Sequence, residues 1–153
     1  MSGKIVAENY IPGVGAGWKM DLSPAYMNDQ QVTRTVLHLY PGYVAVLDEA
    51  ELPGDRDISL RWHTIDRAEP NEDGRFTVRS EHAKLSAVLS DLGEGDLQFA
   101  RREHEYPAVT SDEVGDVLEA RRESYIEATL RGSRCRLLTL FCVTESDAHE
   151  LVW

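Results

Sequence analysis

The chain has 153 residues, of which 42% are hydrophobic and 28% charged, and this composition excludes intrinsic disorder and predicts one domain over residues 1–153. There are 16 Lys and Arg residues against 27 Asp and Glu residues, so the formal net charge is −11. Such a charge argues against nucleic acid and against an anionic membrane as partners. The sequence has neither an export signal nor a membrane-spanning run, so a cytoplasmic location is expected for the chain as written.

The N-terminal part of the chain carries the weakest pattern. Residues 1–20 are expected to be less regular than the rest, and the glycine-rich residues 13–17 are expected to form a mobile loop before the first long strand. Residues 32–40 and 43–48 each predict a strand. Pro41-Gly42 between them is a turn signal, which predicts a hairpin.

The middle of the chain alternates with a period of two, which is typical of half-buried antiparallel strands. In residues 56–64 this pattern predicts Ile58, Leu60 and Trp62 on one face and Ser59, Arg61 and His63 on the other. Residues 70–74 carry turn residues, after which Phe76 and Val78 repeat the pattern. A further strand is predicted over residues 83–89, with Lys84, Ser86 and Ser90 on its polar face.

Nearer the C-terminus, residues 97–101 predict a strand, and residues 135–143 predict a central strand covered on both faces. Cys135 and Cys142 then lie roughly 23 Å apart, too far for a disulfide, and are expected to be buried thiols. Residues 112–122 are either a short helix or an acidic loop. We favour the loop, followed by a strand over residues 125–130 that turns through residues 131–133 into the cysteine strand.

These elements predict an all-β fold, a two-layered antiparallel β-sandwich. No nucleotide-binding or hydrolase motif is present, and no cofactor is predicted. His63 and Asp66, with His38 or His82 from neighbouring strands, carry donor groups that suit a metal ion, but no metal site is predicted because the strand pairing is not known. No catalytic residue is predicted either.

The candidate substrate-binding residues are Arg61, Trp62, His63, Arg75 and Arg79. An arginine fork suits a carboxylate or sulfate, a tryptophan can stack on a sugar ring, and a histidine titrates near neutral pH. Strand geometry turns Trp62 away from its two neighbours, so a core tryptophan between exposed polar residues is the simpler interpretation. Arg75 and Arg79 share a face if their strand is regular, and with Arg61 and Arg67 they form a candidate arginine patch.

Three segments together resemble the C-terminal β-domain of the heparinase II/III-like polysaccharide lyases. They are Asp21-Leu-Ser-Pro-Ala-Tyr26, the run from Val32 to Asp48, and Leu60-Arg-Trp-His-Thr64. Arg34, Asp48, Trp62 and His63 stand at the positions that the family's motif marks. The resemblance implies that Tyr26, Arg34, Asp48 and His63 are mainly structural. The resemblance covers about residues 20–90.

The resemblance implies a β-sandwich that packs, in complete members of the family, against a helical lyase domain. Those enzymes cleave acidic polysaccharides by β-elimination. The family's main catalytic residues belong to that helical domain, and its His-x-His-x-Asp-like run has no counterpart here. We therefore expect a structural or substrate-supporting domain without activity of its own. Two alternatives remain: a stand-alone carbohydrate-binding sandwich using Trp18 or Trp62, or an oligomerising module, suggested by the apolar ending Leu151-Val-Trp153.

Overall fold

The computed structural model describes residues 3–26, 30–64, 68–105 and 122–145. Eight strands make up nearly all of this part of the chain, and a single turn of 3-10 helix at Ser23–Ala25 is the only helical element in it. The strands are β1 (Lys4–Ile11), β2 (Gly15–Asp21), β3 (Gln31–Leu39), β4 (Tyr43–Thr64), β5 (Arg75–Arg79), β6 (Ala83–Asp91), β7 (Gln98–Glu105) and β8 (Arg122–Glu145).

All pairings are antiparallel, and the strands fall into two layers that share β4 and β8. The long layer has the order β1-β2-β3-β4-β8-β6-β5 and uses residues 43–51 of β4. The short layer consists of residues 56–64 of β4, the first half of β8, and β7. The predicted all-β sandwich is confirmed.

The two layers are continuous because β4 and β8 run through both of them. In β4 the pairing with β8 is irregular between Glu51 and Arg56, across Leu52-Pro53-Gly54-Asp55. The predicted strands over residues 43–48 and 56–64 are therefore parts of one strand. The predicted hairpin at residues 131–133 is wrong, because Gly132 pairs with Arg56 and β8 continues without reversing direction.

The N-terminal segment is also more regular than expected. β1 and β2 form an antiparallel hairpin, so the irregular start and the loop over residues 13–17 are wrong. Gly13 adopts φ 73° in the turn, where Val14 N donates to Ile11 O at 3.0 Å. Gly17 lies within β2, and a Cβ there would approach Leu37 Cδ2 to 2.6 Å, so the glycine permits close packing of the β3 side chain.

The core lies between the layers. Leu89 and Leu137 of the long layer pack with Ala128 and Leu130 of the short layer, and partly buried Trp62 contacts this cluster and a second one around Ile126. Each fully buried aliphatic side chain contributes roughly 1.5–3 kcal/mol through removal of apolar surface from water. The alternation predicted for residues 56–64 is confirmed, since Ile58, Leu60 and Trp62 face this core.

The two cysteines are free and buried, as expected. Burial raises the pKa of the Cys135 thiol above its ordinary value, which keeps the thiol protonated and unreactive. Lys84 departs from expectation: it belongs to the predicted polar face of β6 but is only 4% exposed. The other two members of that face do not share its burial, since Ser86 is half-buried and Ser90 is exposed.

The two turns predicted earlier are present. Leu39 and Tyr43 pair directly across residues 40–42, where the Tyr40–Pro41 peptide bond is cis and Gly42 has φ 118°. Before β5, Asn71 Oδ1 accepts hydrogen bonds from Asp73 N and Arg75 N at 3.1 and 2.8 Å. Of residues 112–122, only Arg122 is described, as the first residue of β8. The alternatives for the rest of that segment, the positions of Asp66 and Arg67, and the ending Leu151-Val-Trp153 lie outside the described residues.

Candidate functional site

The outer surface of the short layer gathers charged and aromatic side chains from three strands. Because Leu60 and Trp62 point into the core, Arg61 and His63 point outwards from β4. The register places Glu127 beside Arg61 and Tyr125 beside His63 on β8, with β7 on the far side of β8. We call this surface the Glu127 face; its members are Arg61, His63, Arg102, His104, Glu123, Tyr125 and Glu127.

Glu127 is the centre of this surface. Its Oε1 accepts a hydrogen bond from Arg61 Nε at 2.8 Å, and its Oε2 accepts one from Arg102 Nε at 3.2 Å. The Glu127 side chain is only 12% exposed, and this burial by itself raises the carboxyl pKa. The two arginine hydrogen bonds outweigh burial, so the pKa of Glu127 lies below its ordinary value. Glu127 therefore stays ionised and holds two guanidinium groups in fixed positions.

Tyr125 supports the same arrangement from the neighbouring row. The His63 ring stacks on it with centroids 5.1 Å apart and planes at 27°, and Arg61 Cζ lies 5.3 Å from its ring centroid. His63 Nδ1 lies 3.7 Å from Glu123 Oε2. Stacking and cation–π contacts limit the rotamers of His63 and Arg61, so less entropy is lost when they bind a ligand.

The chemical capacity of the Glu127 face is anion recognition. The Arg61 and Arg102 side chains are 54% and 58% exposed, and each uses Nε for Glu127, so the terminal guanidinium nitrogens remain available to a carboxylate or sulfate. Within the described ranges, no group of three or more His, Cys, Asp or Glu side chains could hold a metal ion. His82, which the sequence offered as a possible ligand beside His63, is not a member of the Glu127 face. Its side chain is 87% exposed, and its Nε2 lies 3.8 Å from the Glu81 carboxylate.

Trp62 is placed elsewhere than Arg61 and His63. Its Nε1 donates to Thr139 Oγ1 at 3.2 Å, and its ring meets the Phe141 ring edge-on with centroids 5.0 Å apart. Arg34 Cζ lies 5.2 Å from the Trp62 ring centroid. These contacts occupy the tryptophan inside the sandwich, in agreement with the simpler interpretation of its sequence context.

Arg75 and Arg79 are exposed at the two ends of β5, the edge strand of the long layer. They alternate with Phe76, which packs in the core, so both point outwards from the long layer. The structure therefore brings Arg61 and His63 together but does not bring Arg75 and Arg79 to them. A substrate-binding role for any of the five residues stays a prediction.

The sequence analysis missed the β7 and β8 members of this surface. The period-two row Glu123, Tyr125 and Glu127 was visible in the sequence, and so was Arg102. What was missing was the pairing, because nothing in a single sequence says that residues 122–129 lie between residues 56–64 and β7. A cross-strand search for opposite charges, Arg61 against Glu127, would have been the available signal.

Comparison with known proteins gives no matching family model and no matching curated protein. Solved structures do match: one heparinase III has a TM-score of 0.67 at 11% identity over 94% of this chain, and another a TM-score of 0.66 at 11% identity over 95%. A heparan sulfate lyase HepC mutant from Pedobacter heparinus has a TM-score of 0.68 at 14% identity over 97%. The chain has a heparinase-like β fold. It spans only 22–23% of the length of these chains.

No helix within the described residues is long and apolar enough to cross a membrane.

The similarity of the backbone to the three lyase structures supports the resemblance to heparinases at the level of the fold. At 11–14% identity the similarity carries no side-chain roles from these proteins to this one.

Proposed function

We propose that this chain is the β-sandwich domain of a heparinase II/III-like polysaccharide lyase, the part that is C-terminal in that family. In this proposal it has a structural or substrate-supporting role and no turnover alone. The observation that carries the proposal is the match of 94–97% of this chain to about a fifth of each lyase chain. A match of that form is what a single domain of a larger enzyme produces.

An exposed apolar surface on the long layer supports a role beside a second domain. Ile11, Val14, Leu37 and Leu39 are each 44–52% exposed. With the backbone around Gly15 and Gly17 they line a groove of about 290 Å³. Contiguous exposed apolar side chains are typical of interaction sites. The proposed occupant is the helical lyase domain of the same enzyme.

The Glu127 face supports the substrate role. β-Elimination removes a proton next to a uronate carboxylate, and it needs cationic groups that neutralise the charge on that carboxylate. Arg61 and Arg102 present such groups at fixed spacing, and they are held by Glu127 without losing their exposed nitrogens. In this proposal they hold an acidic glycan, while the elimination itself is carried out by residues of the helical domain.

Binding to a sulfated uronate polysaccharide, heparan sulfate, tests the substrate role. At about 0.15 M ionic strength, where repulsion from the net charge of −11 is screened beyond roughly 8 Å, we expect the wild-type protein to bind. The double variant Arg61→Gln/Arg102→Gln should bind up to about 25-fold more weakly, since each exposed ion pair changes an equilibrium by up to about fivefold. The matched control is Arg75→Gln/Arg79→Gln, which removes the same charge from β5. Equal losses in both variants would show that only net charge matters.

The absence of turnover is tested separately. The protein alone is incubated with heparan sulfate and other uronate polysaccharides, and the ultraviolet absorbance of the unsaturated product is followed. A flat absorbance is expected. Steady formation of product, retained after a second purification step, would refute this part of the proposal.

The oligomerising alternative is favoured by the same apolar groove, since a second copy could cover it. Light scattering over a range of protein concentrations distinguishes the two. A concentration-independent monomer supports the groove as a surface for a different domain, whereas a stable homodimer disrupted by Leu39→Glu supports self-association.

A further inference from the structure

Two histidines of the Glu127 face flank a single carboxylate. His63 Nδ1 lies 3.7 Å from Glu123 Oε2, on the β4 side of β8. On the other side, His104 of β7 is the direct register partner of Glu123. Directly paired side chains on one face of an antiparallel sheet lie about 5 Å apart at Cβ. The Glu123 carboxylate therefore lies in the row between the two histidines.

The charge of this surface depends on those imidazoles. Within the part of the chain that the structure describes, the charged and titratable groups on the same face are Arg61 on β4, Arg102 on β7, and Glu123, Tyr125 and Glu127 on β8. Each imidazole that gains a proton adds one positive charge to this face, so protonation of both changes its charge by +2.

Glu103 and Glu105 do not counter this gain directly. They alternate with Arg102 and His104 along β7 and so belong to its opposite side, where Arg101 forms an ion pair with Glu103. The change in charge is consequently concentrated on the outer surface. Histidine side chains gain protons as pH falls through about 6.5, whereas carboxylates remain ionised to about pH 5.

We propose that protonation of His63 and His104 adds positive charge to the Glu127 face, so that it binds polyanionic glycan more tightly in mildly acidic than in neutral solution. This proposal rests on the proposed function, because it regulates the same surface. The ligand class is a linear polymer carrying sulfate or carboxylate groups. Its charges replace Glu123 as partners of the imidazolium groups or are shared with it.

The test measures heparan sulfate binding at about pH 7.5 and about pH 5.5 at constant ionic strength. For the wild-type protein we expect affinity to rise, by up to about 25-fold, from two exposed ion pairs at up to about fivefold each. The variant His63→Gln/His104→Gln is expected to lose most of the rise, and the ratio of its affinities at the two pH values is the quantity compared with wild type. His82→Gln, which removes an exposed histidine near β6 in the long layer, is the matched control and should keep the full rise.

A second measurement follows protons directly. Calorimetric titrations at about pH 6.5, in two buffers of different ionisation enthalpy, give the number of protons taken up on binding. Uptake is expected for the wild type and for His82→Gln, and none for the double histidine variant. Proton uptake reports the imidazoles themselves. A variant that has lost its fold is recognised separately, because it does not bind at either pH value.

The outcomes separate the two proposals. If the wild type binds heparan sulfate but the double histidine variant retains the full pH dependence and proton uptake, the histidine proposal is overturned and the substrate role stands. If the wild type binds at neither pH, the substrate role fails and this proposal fails with it. If His82→Gln loses the rise as completely as the double variant does, the effect belongs to net charge and the proposal is refuted.

Discussion

The ion pair between Arg34 and Asp48 gives a quantitative test of how the long layer is stabilised. Arg34 Nε and Nη2 donate to the two oxygens of Asp48 at 2.7 and 3.1 Å, so the pair is bidentate. The side chains are 29% and 13% exposed, and the guanidinium also lies against Trp62. We consider Arg34→Met, Asp48→Leu and the double variant.

The expected magnitudes follow from burial. Breaking a fully buried pair costs about 3–5 kcal/mol, and an exposed pair costs about 0–1 kcal/mol. This pair lies between these limits, so each single variant should lose about 2 kcal/mol, because each leaves one charge poorly solvated. The double variant leaves no unpaired charge and should cost no more than either single one, which corresponds to a coupling energy of at least about 2 kcal/mol.

Urea denaturation of the four proteins measures these values, provided that the slope of unfolding free energy against urea concentration stays constant. A loss of about 2 kcal/mol should also lower the melting temperature by roughly 4–8 °C for a chain of this size. The control is Asp57→Leu, which breaks an exposed ion pair between Asp57 of β4 and Arg131 of β8. This variant should leave the urea midpoint unchanged within error. Strict additivity of the two single losses would refute the reasoning.

Three further predictions concern other parts of the fold. Gly74→Ala should destabilise the protein by more than about 2 kcal/mol, because Gly74 has φ 72° and a Cβ there would overlap Leu89 O and the Phe99 ring. The control is Gly54→Ala, whose Cβ would meet nothing within 4 Å, and thermal melts compare the two variants. The pKa of Glu127 is depressed in the folded protein, so its stabilising effect is present above the unfolded-state pKa and is lost as pH falls through the folded-state pKa. On acidification below about pH 4.5, the melting temperature of the wild type should therefore fall further than that of Glu127→Gln. Parallel pH profiles of the two melting temperatures would contradict this. Thr139→Val should lower stability by about 1–2 kcal/mol, since it leaves Trp62 Nε1 without its acceptor, whereas Thr139→Ser should retain most of it; equal urea midpoints for the two would contradict the role of this hydrogen bond.

The sequence allowed the fold class and several local features to be predicted. Alternation oriented Ile58, Leu60 and Trp62 correctly, and Pro41-Gly42 located the β3–β4 hairpin, because both signals depend only on neighbouring residues. The same kind of signal failed at Gly132, where β8 continues without reversing direction, and Pro53-Gly54 likewise lies within β4. Glycine and proline mark a bend within a strand as readily as a reversal, and only tertiary pairing distinguishes the two.

The candidate site was predictable in part for the same reason. Arg61 and His63 follow from alternation along one strand. Glu127, Tyr125 and Arg102 join them through cross-strand register between segments about 40 and 65 residues apart in the sequence, which local pattern does not contain. Trp62 illustrates the opposite case, since its core position follows from geometry although its chemistry suggested a sugar platform.

The sharing of β4 and β8 by both layers has a consequence for how this protein tolerates sequence change. A slip of one residue between these strands would exchange the inward and outward side chains in the long and the short layer at once, so it would expose core leucines and bury the arginines of the Glu127 face. Residues 52–55 interrupt that register and lie outside the regular pairs. Insertions and deletions there are absorbed locally, whereas the same changes a few residues to either side would disrupt both layers.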